Sequence, residues 1–130
     1  MQIVVDTSAI MAVILDEPER GRILELTQEQ ELIGPGSIPW EIGNAFSRML
    51  KRKRIQLKEA QAGLAIFQST PIRYLDVDSS RVLALAHQTG MYAYDAYLLD
   101  CCLRHGSPLL TLDRALQQAA HTVKIRCMEV

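Results

Sequence analysis

The stretch Ile3-Val4-Val5-Asp6-Thr7-Ser8 decides the fold. Three apolar residues, two of them β-branched valines, read as a short buried strand, and the run breaks at a carboxylate followed by two hydroxyls. Apolar residues resume from Ala9 to Leu15 as a short helix, so Asp6, Thr7 and Ser8 occupy a strand-to-helix turn. Open α/β sheets bind ligands beyond the carboxyl ends of their strands. Capping of the following helix by Asp6 or Thr7 is the plainer reading of this tripeptide taken alone.

Outward from that turn, strands and helices alternate. Pro18 falls in the first turn of a second helix whose apolar edge is Ile23, Leu24 and Leu26. Glu31 to Gly34 is a strand, and Pro35-Gly36-Ser37-Ile38 is a turn. From Pro39 the residues Trp40, Ile42, Ala45, Phe46, Met49 and Leu50 recur at helical spacing up to Lys51-Arg52-Lys53-Arg54. Leu57 to Phe67 is a further helix and Ile72 to Leu75 a strand. A helix from Asp78-Ser79-Ser80 stops at Gly90, and another from Tyr94 stops at Gly106. Pro108 to Thr111 is a strand, Arg114 to Ala120 a helix, and Val123 to Met128 a closing strand. This alternation predicts an α/β fold: a mainly parallel sheet flanked by helices, built as one domain over residues 1–130.

Composition narrows the function. The chain is 48% hydrophobic and 22% charged with a net charge of −1, which argues against disorder and against a strongly basic nucleic-acid binder. Any electrostatic footprint must be local. The three cysteines, Cys101, Cys102 and Cys127, lack metal-ligand spacing, and the first two are expected as buried thiols in an apolar helical run. No secretory signal and no membrane-length apolar run is legible, so a soluble, cytoplasmic protein without membrane contact is expected.

Four carboxylates carry the chemistry. Asp6 and Asp113 each lie at or just past the end of an apolar strand and ahead of a helix. Glu41 and Asp95 each lie in the first turn of a helix beside an aromatic residue, Trp40 and Tyr94. All four can converge on one edge of the sheet. Helix N-termini offset part of the resulting repulsion, but the cluster raises its own pKa values unless a cation sits among it. Oxygen ligands without a competing His or Cys set suit Mg²⁺ or Mn²⁺. A divalent ion carrying water suits hydrolysis of a phosphodiester. Thr7, Ser8 and Thr111 are placed to orient ligands or water. Arg48 and Arg114, near the acids, and Lys51, in the basic run, are candidate contacts to the phosphates of a substrate, with a solvated helix end as the plain alternative for Lys51 to Arg54.

Val5-Asp6-Thr7-Ser8, Glu41 at the head of a helix, Tyr94-Asp95-Ala96 and Thr111-Leu112-Asp113 together resemble the PIN-domain ribonucleases, and most of all the small toxins of VapBC toxin-antitoxin modules. The likeness runs through essentially the whole chain in order. It implies a PIN-like three-layer fold, an acidic quartet of Asp6, Glu41, Asp95 and Asp113 holding Mg²⁺ or Mn²⁺, Ser8 and Thr111 as adjacent hydroxyls, and RNA as substrate. It also implies a cognate antitoxin and a homodimer. The apolar side of the first two helices, around Ile14, Leu15, Ile23 and Leu26, is the expected partner surface. Asp100-Cys101-Cys102 departs from the small residues common in relatives; Asp100 is read as a peripheral acid or a solvent-facing residue on a different helical face from Asp95.

Two other classes compete. Phosphate-accepting signalling and phosphatase domains also place an aspartate after the first strand, but they want a second acid nearby or a lysine on a late strand. Neither Asp6-Thr7-Ser8 nor Thr111-Leu112-Asp113-Arg114 supplies these. A non-catalytic binding module with the same fold is the other, and the presence of all four acids argues against it.

Overall fold

The computed structural model describes residues 1–130. Eleven elements follow one another: β1 (Gln2–Val5), α1 (Thr7–Ile14), α2 (Arg20–Thr27), β2 (Glu31–Pro35), α3 (Ile38–Lys51), α4 (Leu57–Ser69), β3 (Arg73–Leu75), α5 (Ser79–Thr89), α6 (Ala93–His105), β4 (Leu109–Leu110) and α7 (Arg114–Thr122). The four strands form one sheet in the order β3-β2-β1-β4, and every pairing is parallel. β1 is interior in that order, and Ile3, Val4 and Val5 are at most 2% exposed, as a strand covered on both faces requires.

Alternation along β1 divides the core in two. Ile3 and Val5 point to one face, where Ile10 of α1, Ile23 of α2, Ile42 and Phe46 of α3, and Phe67 of α4 pack with them. Val4 points to the other and meets Val82 and Leu85 of α5, Leu98 and Leu99 of α6, and Leu116 of α7. Helices therefore cover both faces of the sheet. Cys101 and Cys102 are buried in the second cluster, as expected, and desolvation pushes the Cys101 thiol up to about 12.

Strand register sets the site. Val4 pairs with Leu109 and Val5 with Leu110, and the Asp6 amide continues the ladder by donating to the Leu110 carbonyl at 3.0 Å. Asp6 and Thr111 therefore leave the sheet side by side. On the other flank Val4 pairs with Ile33, so β2 ends at the same edge and hands over to α3. Gly34 allows that handover, because a Cβ there would collide with the buried Ile38 side chain at the start of α3.

Several expectations need correction. The closing strand from Val123 to Met128 reduces to a single parallel bridge between Leu109 and Cys127. α7 runs on to Thr122, Lys124 adopts φ 62°, and β4 is only two residues long, so little extended backbone remains to pair. The second helix begins at Arg20, with Pro18 ahead of its first turn. Asp100 does not face solvent: it is fully buried, 3.6 Å from Arg81 Nε and 3.7 Å from Arg104 Nη1, and it accepts the Asp78 amide at 3.3 Å. Ile23, expected on a partner surface, is 3% exposed, while Ile14, Leu15 and Leu26 are partly buried against the same core.

Candidate functional site

Asp6 holds the N-cap position of α1, but its carboxylate makes no capping hydrogen bond. Two hydroxyls claim it instead. Ser8 Oγ and Thr111 Oγ1 each donate to Asp6 Oδ2 at 2.7 Å, and the two hydroxyl oxygens lie 3.2 Å apart. The hydroxyls are fixed in turn, because Ser8 Oγ accepts the Leu112 amide and Thr111 Oγ1 accepts the Asp113 amide, both at 3.0 Å. One Asp6 oxygen is thus committed within the protein. The other takes no hydrogen bond and remains available to a ligand.

Asp6 opens into a cleft of about 710 Å³ that Glu41, Asp95 and Asp113 also line. Glu41 comes from the first turn of α3 and receives a hydrogen bond from Ser37 Oγ at 2.9 Å. Asp95 comes from the first turn of α6, on the opposite face of the sheet. Asp113 caps α7 by accepting the Leu116 amide at 3.2 Å, so the capping expected of it is present alongside its place in the cleft. None of α1, α3 and α6 has a side-chain cap, which leaves the positive ends of three helix dipoles facing this acidic cleft.

The acids perturb each other. Desolvation, followed by the negative charges of Asp6 and Asp95, pushes Glu41 up to about 7 against the opposing pull of the Ser37 hydrogen bond. Asp95 is raised by desolvation and then by Asp6 and Asp113. These couplings link all four acids into one electrostatic unit.

The donor set is the one a hard divalent ion takes. It is all oxygen, no His or Cys lines the cleft, and the Thr7 hydroxyl at its edge is buried with no partner. As placed, no three of the acids close around a single point. Mg²⁺ keeps several waters and takes as few as one or two carboxylates directly, so a free Asp6 oxygen with neighbouring acids reached through water fits its habits.

The PIN-domain family model matches residues 3–122, from β1 to the last residue of α7. The chain belongs to the PIN-domain family. Members of that family are nucleases that generally work with divalent metal ions. No curated protein matches this PIN domain in sequence. Solved structures share its fold at low identity. PAE2754 from Pyrobaculum aerophilum has a TM-score of 0.72 at 22% identity, covering 92% of this chain and 79% of its own. VapBC2 from Rickettsia felis, bound to a DNA fragment from its promoter, has a TM-score of 0.67 at 16% identity over 98% of each chain. VapC20 of Mycobacterium tuberculosis, described as a sarcin-ricin loop cleaving toxin, has a TM-score of 0.62 at 18% identity, covering 90% of this chain and 94% of its own.

The PIN domain brings Asp6, Glu41, Asp95, Asp113, Thr7 and Ser8 to one cleft, with Thr111 directly behind Asp6. Arg48 also lines it. Lys51 and Arg114 lie outside its wall, and the arginines that join Arg48 are Arg52 and Arg54. The signal for Arg52 was periodic: Glu41, Asn44, Arg48 and Arg52 stand at intervals of three and four, on one face of α3 that continues past its last turn, whereas Arg54 lies beyond that spacing. Asp100 is not part of the cleft wall. No helix is long and apolar enough to cross a membrane.

Proposed function

We propose that this PIN domain is a metal-dependent endoribonuclease, hydrolysing RNA phosphodiester bonds with Mg²⁺ or Mn²⁺, and that it serves as the toxin of a toxin-antitoxin pair. The observation that carries the reading is the treatment of Asp6: one oxygen clamped by Ser8 and Thr111, the other left open toward three further acids. A carboxylate whose purpose was to cap α1 would spend itself on backbone amides.

Asp6, Glu41, Asp95 and Asp113 would hold the ion, with Thr7, Ser8 and Thr111 orienting ligands and water. A divalent ion bound there lowers the pKa of water and offsets charge on the phosphoryl oxygens. In the metal-free cleft, burial and the charges of Asp6 and Asp95 push Glu41 up to about 7, a strain that a bound cation would relieve by offsetting the repulsion. The uncapped helix ends and Arg48 favour a phosphate next to acids that would otherwise repel it.

Asp95→Asn tests the reading. Mg²⁺-dependent RNA cleavage by the pure variant should fall by at least about 100-fold while its circular dichroism stays that of the parent. Undiminished cleavage would remove Asp95, and with it the acidic quartet, from the mechanism. The toxin role has support in the shared fold of VapBC2 and VapC20. Co-expression with any small protein encoded next to it tests that role, since a cognate antitoxin should co-purify and suppress cleavage.

A further inference from the structure

Trp40 is 74% exposed and Tyr94 57%, although each lines the cleft and each immediately precedes one of its acids. Neither ring packs into the hydrophobic core. Tyr94 makes an edge-on contact with Tyr97 at 6.0 Å between centroids. Large aromatic rings left in water beside a polar cleft are a cost that folding does not explain. Their placement is complementary, because α3 and α6 cover opposite faces of the sheet and so bring one ring to each side of the carboxylates.

We propose that Trp40 and Tyr94 are the base-stacking contacts of this site, gripping unpaired nucleobases on the two sides of the acids while Arg48, Arg52 and Arg54 hold the backbone. The proposal rests on the ribonuclease reading and adds to it the two residues that grip the bases. From Trp40 to Arg52 the helical rise of α3 is about 18 Å, so rings and arginines lie along a track several nucleotides long. Aromatic faces joined to a cationic groove are what single strands bind, because stacking needs bases that are free of a partner strand. The arginines supply charge complementarity that the acids alone would deny to any nucleic acid.

Trp40 is the only tryptophan, so its fluorescence reports the contact directly. In the cleavage-impaired Asp95→Asn chain with Mg²⁺, a mixed-sequence single-stranded oligoribonucleotide should quench it, and the same strand annealed to its complement should not. In the otherwise intact chain, Trp40→Ala and Tyr94→Ala should each raise KM for single-stranded RNA by about 5- to 150-fold, the range found when a stacking aromatic is truncated. Trp40→Phe should recover most of the loss. Leu83→Ala, which removes an exposed apolar side chain on α5 outside the cleft wall, should change nothing. Unchanged KM in both alanine variants, or equal quenching by the duplex, would overturn the proposal and leave the rings to a protein partner. Normal cleavage with unchanged KM sinks the stacking contacts alone; quenching of the Asp95→Asn chain by the single strand, with no cleavage by the unsubstituted parent in Mg²⁺ or Mn²⁺, sinks the nuclease reading alone.

Discussion

Asp6 and Thr111 form a unit that neither residue would form alone. Thr111 is 1% exposed and its hydroxyl both accepts the Asp113 amide and donates to Asp6, so it aims the carboxylate and ties it to β4. Thr111→Val keeps the volume and removes the hydroxyl. We expect it to weaken Mn²⁺ binding by about 10- to 100-fold, the usual penalty for losing a residue that orients a ligand, as read by calorimetric titration. Glu41 makes a prediction about pH. Its folded pKa, about 7, lies above the ordinary 4.5, so the native state holds this proton more tightly than the unfolded chain. The stabilisation is complete below 4.5 and is lost as pH rises toward 7. Glu41→Gln should therefore raise the melting temperature of the metal-free protein at pH 7.5 and have little effect at pH 4.5. An equal effect at both values would mean that Glu41 is not held up by its surroundings.

Each acid was legible in the sequence because it stands where one element ends and the next begins, which period and punctuation reveal. At the scale of elements the reading was less complete. The closing strand failed because the Val123 to Met128 pattern says nothing about the length of its partner, and β4 offers two residues. Asp100 was misread because helical spacing shows which face a residue is on and not what covers that face; α5 covers it with Arg81. The contact joins α5 to α6, the helix that carries Asp95. Asp100→Ala should cost about 1–3 kcal/mol in urea unfolding by removing a charged acceptor, while Arg81→Ala, whose side chain is half exposed, should cost less than about 1 kcal/mol. Gly34 makes the matching case on the other face. Gly34→Ala would push on the end of the fully buried Ile38 side chain and force it to repack, so we expect about 1–3 kcal/mol of lost stability in urea unfolding without any change to an acid.

Over the whole molecule, four acids far apart in the chain reach one cleft because three parallel strands end at the same edge and helices from both faces begin there. The fold was readable from alternation alone. The shape of the cleft was not, since Arg52, Arg54 and the open faces of Trp40 and Tyr94 depend on how α3 and α6 tilt across the sheet. A net charge of −1 hides the division of the cleft into acids and an arginine wall, which only the assembled fold shows. The central claim is that this cleft is built to hold a divalent ion. Calorimetric titration of the purified protein with Mn²⁺ at pH 7.5 tests it most directly. Saturable binding that is lost in both Asp6→Asn and Asp95→Asn is the predicted result; no saturable heat in the parent, or the same heat in all three, would contradict it.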